Sequence, residues 1–195
     1  MATIGFDKLY TATVTEDENG VETYGTPEVI AKGISADISV ETDSADLFAD
    51  DGVDEHIEEF KKGTLTLGVN DIGSAAAARL LGVIVDSKGV VVSAAESSAP
   101  AVAVGFRARK ANGKYRYFWL YKVKFSVPGT KLATKGDTIA FTTPELTGTI
   151  MRRNKPDGNG NHPWKAEITE GETGADASTV TNWFSTVYEP AYSGQ

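Results

Sequence analysis

The chain has no cysteine, and that absence removes thiol nucleophiles, disulfides, thiolate zinc sites and iron–sulfur ligation together. Histidine is scarce: His56 and His162 are the only two, which leaves little for imidazole chemistry. His56 lies among Asp54, Glu55, Glu58 and Glu59, the setting of a surface residue, and His162 precedes Pro163-Trp164 in a turn. No apolar run approaches the roughly 20 residues that a membrane-spanning helix needs. The opening MATIGFDKLY lacks the basic and then apolar segments of a secretory signal, so the expectation is a soluble protein made in a cytoplasm. Positive charge is in the minority. Nineteen Lys+Arg against 27 Asp+Glu give a net charge of −8 and a pI near 4.8, which argues against indiscriminate nucleic-acid binding.

Catalytic signatures are missing as well. There is no GxSxG, no phosphate-binding Walker loop and no GxGxxG after a strand. Asp157, Asn159 and Asn161 have the 1-3-5 oxygen spacing of a calcium loop. His162 follows where Gly should stand, and Ile168 occupies the closing position in place of Glu. The expectation is no enzyme, no catalytic residue, no metal and no cofactor.

What is present is ordinary globular composition, 41% hydrophobic and 24% charged over 195 residues, sized for a single domain spanning 1–195. Strand signals dominate. Residues 8–14 and 21–24 flank Asn19-Gly20, a hairpin turn pair that tolerates positive φ. Ile34, Ala36, Ile38 and Val40 alternate with Ser35, Asp37, Ser39 and Glu41, the period of a half-buried strand with a polar outer face. Residues 63–69 form another strand. Residues 71–82 read as the one convincing helix, capped by Asp71 or Ser74, rich in alanine and stopped at Gly82. Two further hairpins are expected, 83–85 with 90–92 and 101–109 with 115–127, followed by strands at 137–143, 146–152 and 164–169. Residues 178–184 suggest a turn or two of helix, and a loosely held tail is expected from about 185 to 195. Antiparallel strands with one flanking helix make a mainly β fold, a β-sandwich or open barrel.

Two segments stand out. Residues 41–62 carry nine carboxylates and two lysines, with Leu47, Phe48, Val53, Ile57 and Phe60 scattered among them. The charge is too dense for a core and the apolar residues too many for a solvated tail. The segment reads as a long excursion that packs on something, either its own domain or another chain. The second segment is basic and aromatic: Arg107, Arg109, Lys110, Lys114, Arg116, Lys122 and Lys124 interleave with Tyr115, Tyr117, Phe118, Trp119 and Tyr121. Period-two alternation puts Tyr115, Tyr117, Trp119, Tyr121, Val123 and Phe125 on one face, as in a β core. An OB-like base-stacking sheet is the competing reading, but the RNP1 pattern is absent. The basic residues have a natural partner in the acidic 41–62 excursion or its copy on a neighbour.

This order of elements resembles the major tail proteins, or tail tube proteins, of long-tailed non-contractile bacteriophages, in the branch common among phages of Gram-positive bacteria. The resemblance covers roughly residues 1–190. It is carried by the opening MATIGFDKLYTATVT, by LFADDGVDEHIEEFKKGTLTLGV (47–69), by the alanine helix, and by GFRARKANGKYRYFWLYKVKF (105–125). It implies a structural virion protein without catalytic residues. Six such subunits close into a ring, and rings stack into a tube through which the genome leaves the capsid without specific binding. Its partners are identical copies together with tail tip or initiator, tape measure and tail terminator proteins. Its location is the virion tail, with the host cytoplasm as the place of assembly and no membrane involved. The excursion then reaches an adjacent ring, with Leu47, Phe48, Asp50, Asp51, Glu58, Glu59 and Phe60 as interface candidates. Asp37 and Glu41 are candidates to face the lumen, where carboxylates repel phosphate; an ordinary outer face is the alternative. The other functional reading is a cell-surface or carbohydrate-binding β-sandwich that uses Trp119, Trp164 or Trp183 as a stacking platform.

Overall fold

The computed structural model describes residues 2–49, 52–129 and 143–192. Along the chain run β1 (Thr3–Glu16), β2 (Glu22–Tyr24), β3 (Glu28–Ala31), β4 (Gly33–Ala49), β5 (Gly52–Val69) and α1 (Ser74–Leu81). Then come β6 (Ile84–Val85), β7 (Val91–Val92), β8 (Ala101–Lys110), β9 (Tyr115–Phe125), β10 (Glu145–Met151), β11 (Lys165–Thr169) and α2 (Ala177–Asn182). The expected strand at 137–143 falls almost wholly outside the described residues.

The fold is mainly β and antiparallel, with a flanking helix, as the strand signals indicate. The main sheet has the order β2-β1-β8-β9-β10-β5-β4, with β11 beside β9 and β3 beside β1. Because β3 runs directly into β4 through Lys32, the path closes on itself. β3 pairs with β1 at Leu9–Thr11, while β4 pairs with β5. Lys32 and Asn70 seal this corner: the Lys32 amide donates to the Asn70 side-chain oxygen at 2.9 Å, and the Asn70 amide donates to the Lys32 carbonyl at 3.0 Å. The sheet is thus curled into a barrel.

The barrel interior holds Leu9, Leu65, Leu67, Val69, Val102, Val104, Phe106, Leu120, Val123, Leu146 and Ile150. Leu80 and Leu81 of α1 join this cluster, each worth about 1.5–3 kcal/mol if fully buried. The helix stops as expected, with Gly82 left-handed (φ 67°) and its amide bonded to the Ala78 carbonyl. Its start differs from expectation. Gly73 occupies the N-cap position without a side-chain cap, and the Asp71 carboxylate instead accepts from the next amide, Ile72.

A second apolar cluster lies on the outer face of β1, β8, β9 and β11. Ala12, Ala103, Tyr117, Trp119 and Tyr121 are covered there by Trp183, Phe184, Val187 and Tyr188. The single aromatic face expected across 115–125 is therefore divided. β8 and β9 pair at Val102↔Val123 and again at Val104↔Leu120, which leaves one extra residue on β9. This bulge flips the alternation. Before it the odd residues face the outer cluster; after it Val123 and Phe125 face the barrel interior.

The tail expected to be loose from 185 is held as far as residue 192. Val187 is buried, and Tyr188 stacks on Trp183 with ring centroids 5.1 Å apart. Glu189 accepts from the fully buried Arg153 at 2.7 Å, and the Tyr192 hydroxyl donates to Asp157.

Candidate self-association interface

β4 and β5 are the longest strands among the described residues, 17 and 18 residues. Only part of each belongs to the barrel. β10 flanks β5 from Gly68 to Gly63 and no further. Beyond that point residues 41–49 and 52–62 continue as a two-stranded ribbon with no third strand on either side among the described residues. Nine residues at ~3.3 Å each make an arm about 30 Å long. The excursion expected from composition consists of two strands that pair with each other from Glu41↔Lys62 to Ala49↔Gly52, with register shifts after Glu41 and after Leu47.

Cross-strand polar pairs hold the arm. Thr42 donates to Glu58 at 2.7 Å, Lys61 bridges to Asp43 at 2.8 Å and Lys62 to Glu41 at 3.4 Å, and His56 touches Asp46. The Asp43 hydrogen bond and charge raise the Lys61 pKa above its ordinary value. All these groups are exposed, and pairs of this kind contribute little individually. An isolated two-stranded ribbon is marginal in water.

The candidate residues fall in different places. Glu58 and Glu59 are exposed on the arm, opposite Ser44 and Asp43. Leu47 and Phe48 sit at register positions opposite Glu55 and Val53. Asp50 and Asp51 lie outside the described residues. Phe60 turns back to its own body and stacks on Trp164, with centroids 4.7 Å apart and planes within 5°. The register explains this: Glu41↔Lys62 is followed by Thr42↔Phe60, so Lys61 is an extra residue that rotates Phe60 to the core side. Asp37, opposite Thr66, is exposed, whereas its neighbours Ala36 and Ile38 pack on the core. Glu41 is exposed and paired with Lys62.

The start of β4 lies against β1, with Gly33 packed on the Phe6 ring, and beyond that corner its outer edge pairs with no strand among the described residues. It carries two exposed aliphatic residues, Ile34 (54% exposed) and Val40 (45%). An edge this long, with no proline to block pairing, offers a row of unpaired amides and carbonyls to another chain.

Arg107, Lys110 and Lys122 of the basic strand pair find acidic partners within the chain, none of them on the arm. Arg107 makes a two-pronged bond to Asp7 (2.7 and 2.9 Å) and lies 3.9 Å from the Tyr115 ring centroid. Lys110 pairs with Glu172, and Lys122 with both Glu16 and Glu22. Glu22 is fully buried, a feature the sequence did not signal. Burial alone would raise its pKa. Hydrogen bonds from the Asn154 amide (2.8 Å), Lys122 (2.9 Å) and the Lys155 amide (2.6 Å) outweigh that and hold it below the ordinary carboxylate value.

The tryptophans are covered. Trp119 and Trp183 are buried, and Trp164 is stacked by Phe60 with Lys165 5.2 Å from the ring centroid. The Asp157 carboxylate is spent on a turn, accepting the amides of Asn159 and Asn161 and the Tyr192 hydroxyl. Among the described residues no three acidic or histidine side chains are grouped to hold a metal ion, and no helix is long and apolar enough to cross a membrane. No protein-family model matches the chain, and no curated protein matches it.

Proposed function

We propose that the chain is a structural virion protein, a tail tube subunit that self-assembles into hexameric rings stacked as a conduit for a phage genome. The single observation that carries this reading is the open β4 edge, continued into an arm that stands clear of its own barrel. A free edge is a liability for a lone molecule, and a closing ring of identical copies removes it. The arm, marginal alone, gains a third strand or a covering surface from a neighbour. A net charge of −8 suits a bore that lets DNA slide without adhering. The protein acts without a cofactor, and its partners are its own copies and the other tail proteins.

The resemblance in residues 47–69 and 105–125 points the same way. A sugar-binding module needs an open indole face, and the covered tryptophans do not supply one. Sedimentation across a concentration series, with and without a tail initiator, tests the reading. Large ring-sized and longer species are expected. Strict monomers at every concentration and salt, initiator included, contradict it.

A further inference from the structure

The small hairpin β6–β7 has no role in the barrel. Its strands pair at Ile84↔Val92 and Val85↔Val91 and touch no third strand among the described residues. Its turn is firmly built: the Asp86 carboxylate accepts the amides of Lys88 and Val90, both at 2.8 Å, and Gly89 is left-handed. Val83, just before it, is buried in the core and fixes its root. Yet Ile84, Val90, Val91 and Val92 are 64%, 54%, 42% and 47% exposed. An exposed aliphatic hairpin with no further strand on either edge among the described residues is costly to leave in water.

We infer that the β6–β7 hairpin docks on the open β4 edge of a second copy of the chain, adding strands to its sheet. The inference rests on the self-assembly reading above and names the contact. Three observations favour a second copy as occupant. Both surfaces are bare strand edges, so each supplies the main-chain partners the other lacks. Both carry exposed aliphatic residues, the hairpin valines on one side and Ile34 and Val40 on the other. The charges also match. The exposed tip residue Lys88 has no ion-pair partner among the described residues, and β4 presents Asp37, which also has none, beside Glu41 and Asp43. The contact is heterologous: every copy gives a hairpin and offers an edge, so it propagates until rotation closes it.

The absence of native cysteine makes the test clean. One chain carries Val91→Cys, and separate chains carry Ile34→Cys, Val40→Cys or, as an exposed control, Val127→Cys. Pairs of single-cysteine proteins are mixed at assembling concentration and treated with a short bismaleimide. Because each chain has one thiol, a mixed dimer at twice the 20.7 kDa monomer mass is intermolecular by construction. The inference predicts such a dimer for Val91→Cys with Val40→Cys or Ile34→Cys and none with Val127→Cys. Tubes visible in the same sample without the predicted dimer overturn the hairpin contact and leave the assembly reading standing. Dispersed monomers without any cross-link overturn both.

Discussion

Trp119 and Trp183 are clasped through their indoles. The Trp119 Nε1–H donates to the Trp183 carbonyl at 2.9 Å, and the Trp183 Nε1–H reaches back to the Phe118 carbonyl at 3.3 Å. The clasp binds the C-terminal segment to the middle of β9, 64 residues earlier in sequence. It makes that segment the second half of the outer core.

Replacing Trp183 with Ala should therefore act as a core truncation. It removes a buried indole and leaves the Phe118 carbonyl without its donor, for a loss of about 3–5 kcal/mol in urea unfolding. Trp183→Phe, which keeps most of the apolar area, should lose markedly less. A Trp183→Ala protein as stable as the parent would mean the tail is not part of the core.

Acid should weaken the fold through Glu22. Its pKa is depressed in the folded state, so its contribution is fully present above the unfolded carboxylate value of about 4.3 and fades as pH falls through the folded value. Asp176 adds to the same limb. Hydrogen bonds from Ser178 and Thr179 push its pKa down to about 2. Thermal melts between pH 6 and pH 2 should show a decline that starts below about pH 4.5. Glu22→Gln should lower stability at pH 7 and flatten the upper part of that decline; an unchanged slope would contradict the assignment.

Lys8 is the one residue other than glycine, among those described, with positive φ (55°). It sits in a bulge of β1, where Asp7↔Arg107 is followed by Tyr10↔Gly105. A side chain in this left-handed region costs roughly 1 kcal/mol that glycine avoids. Lys8→Gly should raise the melting temperature by about 1–3 °C, since the exposed side chain makes no hydrogen bond or ion pair among the described residues and glycine's own entropy offsets part of the gain. A lower melting temperature would show that Lys8 is held by an interaction stronger than its strain.

Glu58→Lys with Glu59→Lys reverses charge on both faces of the arm. Folding should hardly change, because the two side chains are exposed and make only cross-strand contacts. Tube formation should require clearly higher protein concentration, as seen by light scattering. Unaltered assembly would show that these carboxylates do not face a neighbour.

Much of the barrel was legible in the sequence because it is locally encoded. Ile38, Leu65 and Leu67 follow period two, Gly82 stops the alanine helix, and Gly113 turns β8 into β9. The misreadings arose where one residue breaks the period. Lys61 rotates Phe60 inward, and the extra residue after Leu120 splits the aromatic face. The arm was unreadable as strand because its residues are chosen for cross-strand charge pairing, with little side-to-side alternation. The Glu22 site could not be foreseen, since its carboxylate is satisfied by amides 132 and 133 residues further along. Residues 41–62 stood out as a segment but not residue by residue, because packing on Trp164 of the chain's own body separates Phe60 from the exposed Glu58 and Glu59.

On the proposed assembly, the backbone edge of β4 finds its partner in identical copies. Amide hydrogen exchange measured on residues 33–49 in dispersed protein and in assembled particles tests it most directly. Outward-facing β4 amides should exchange quickly in the dispersed state and become strongly protected on assembly, while barrel amides of β8 and β9 stay protected in both. Equal exchange along β4 in the two states would contradict the account.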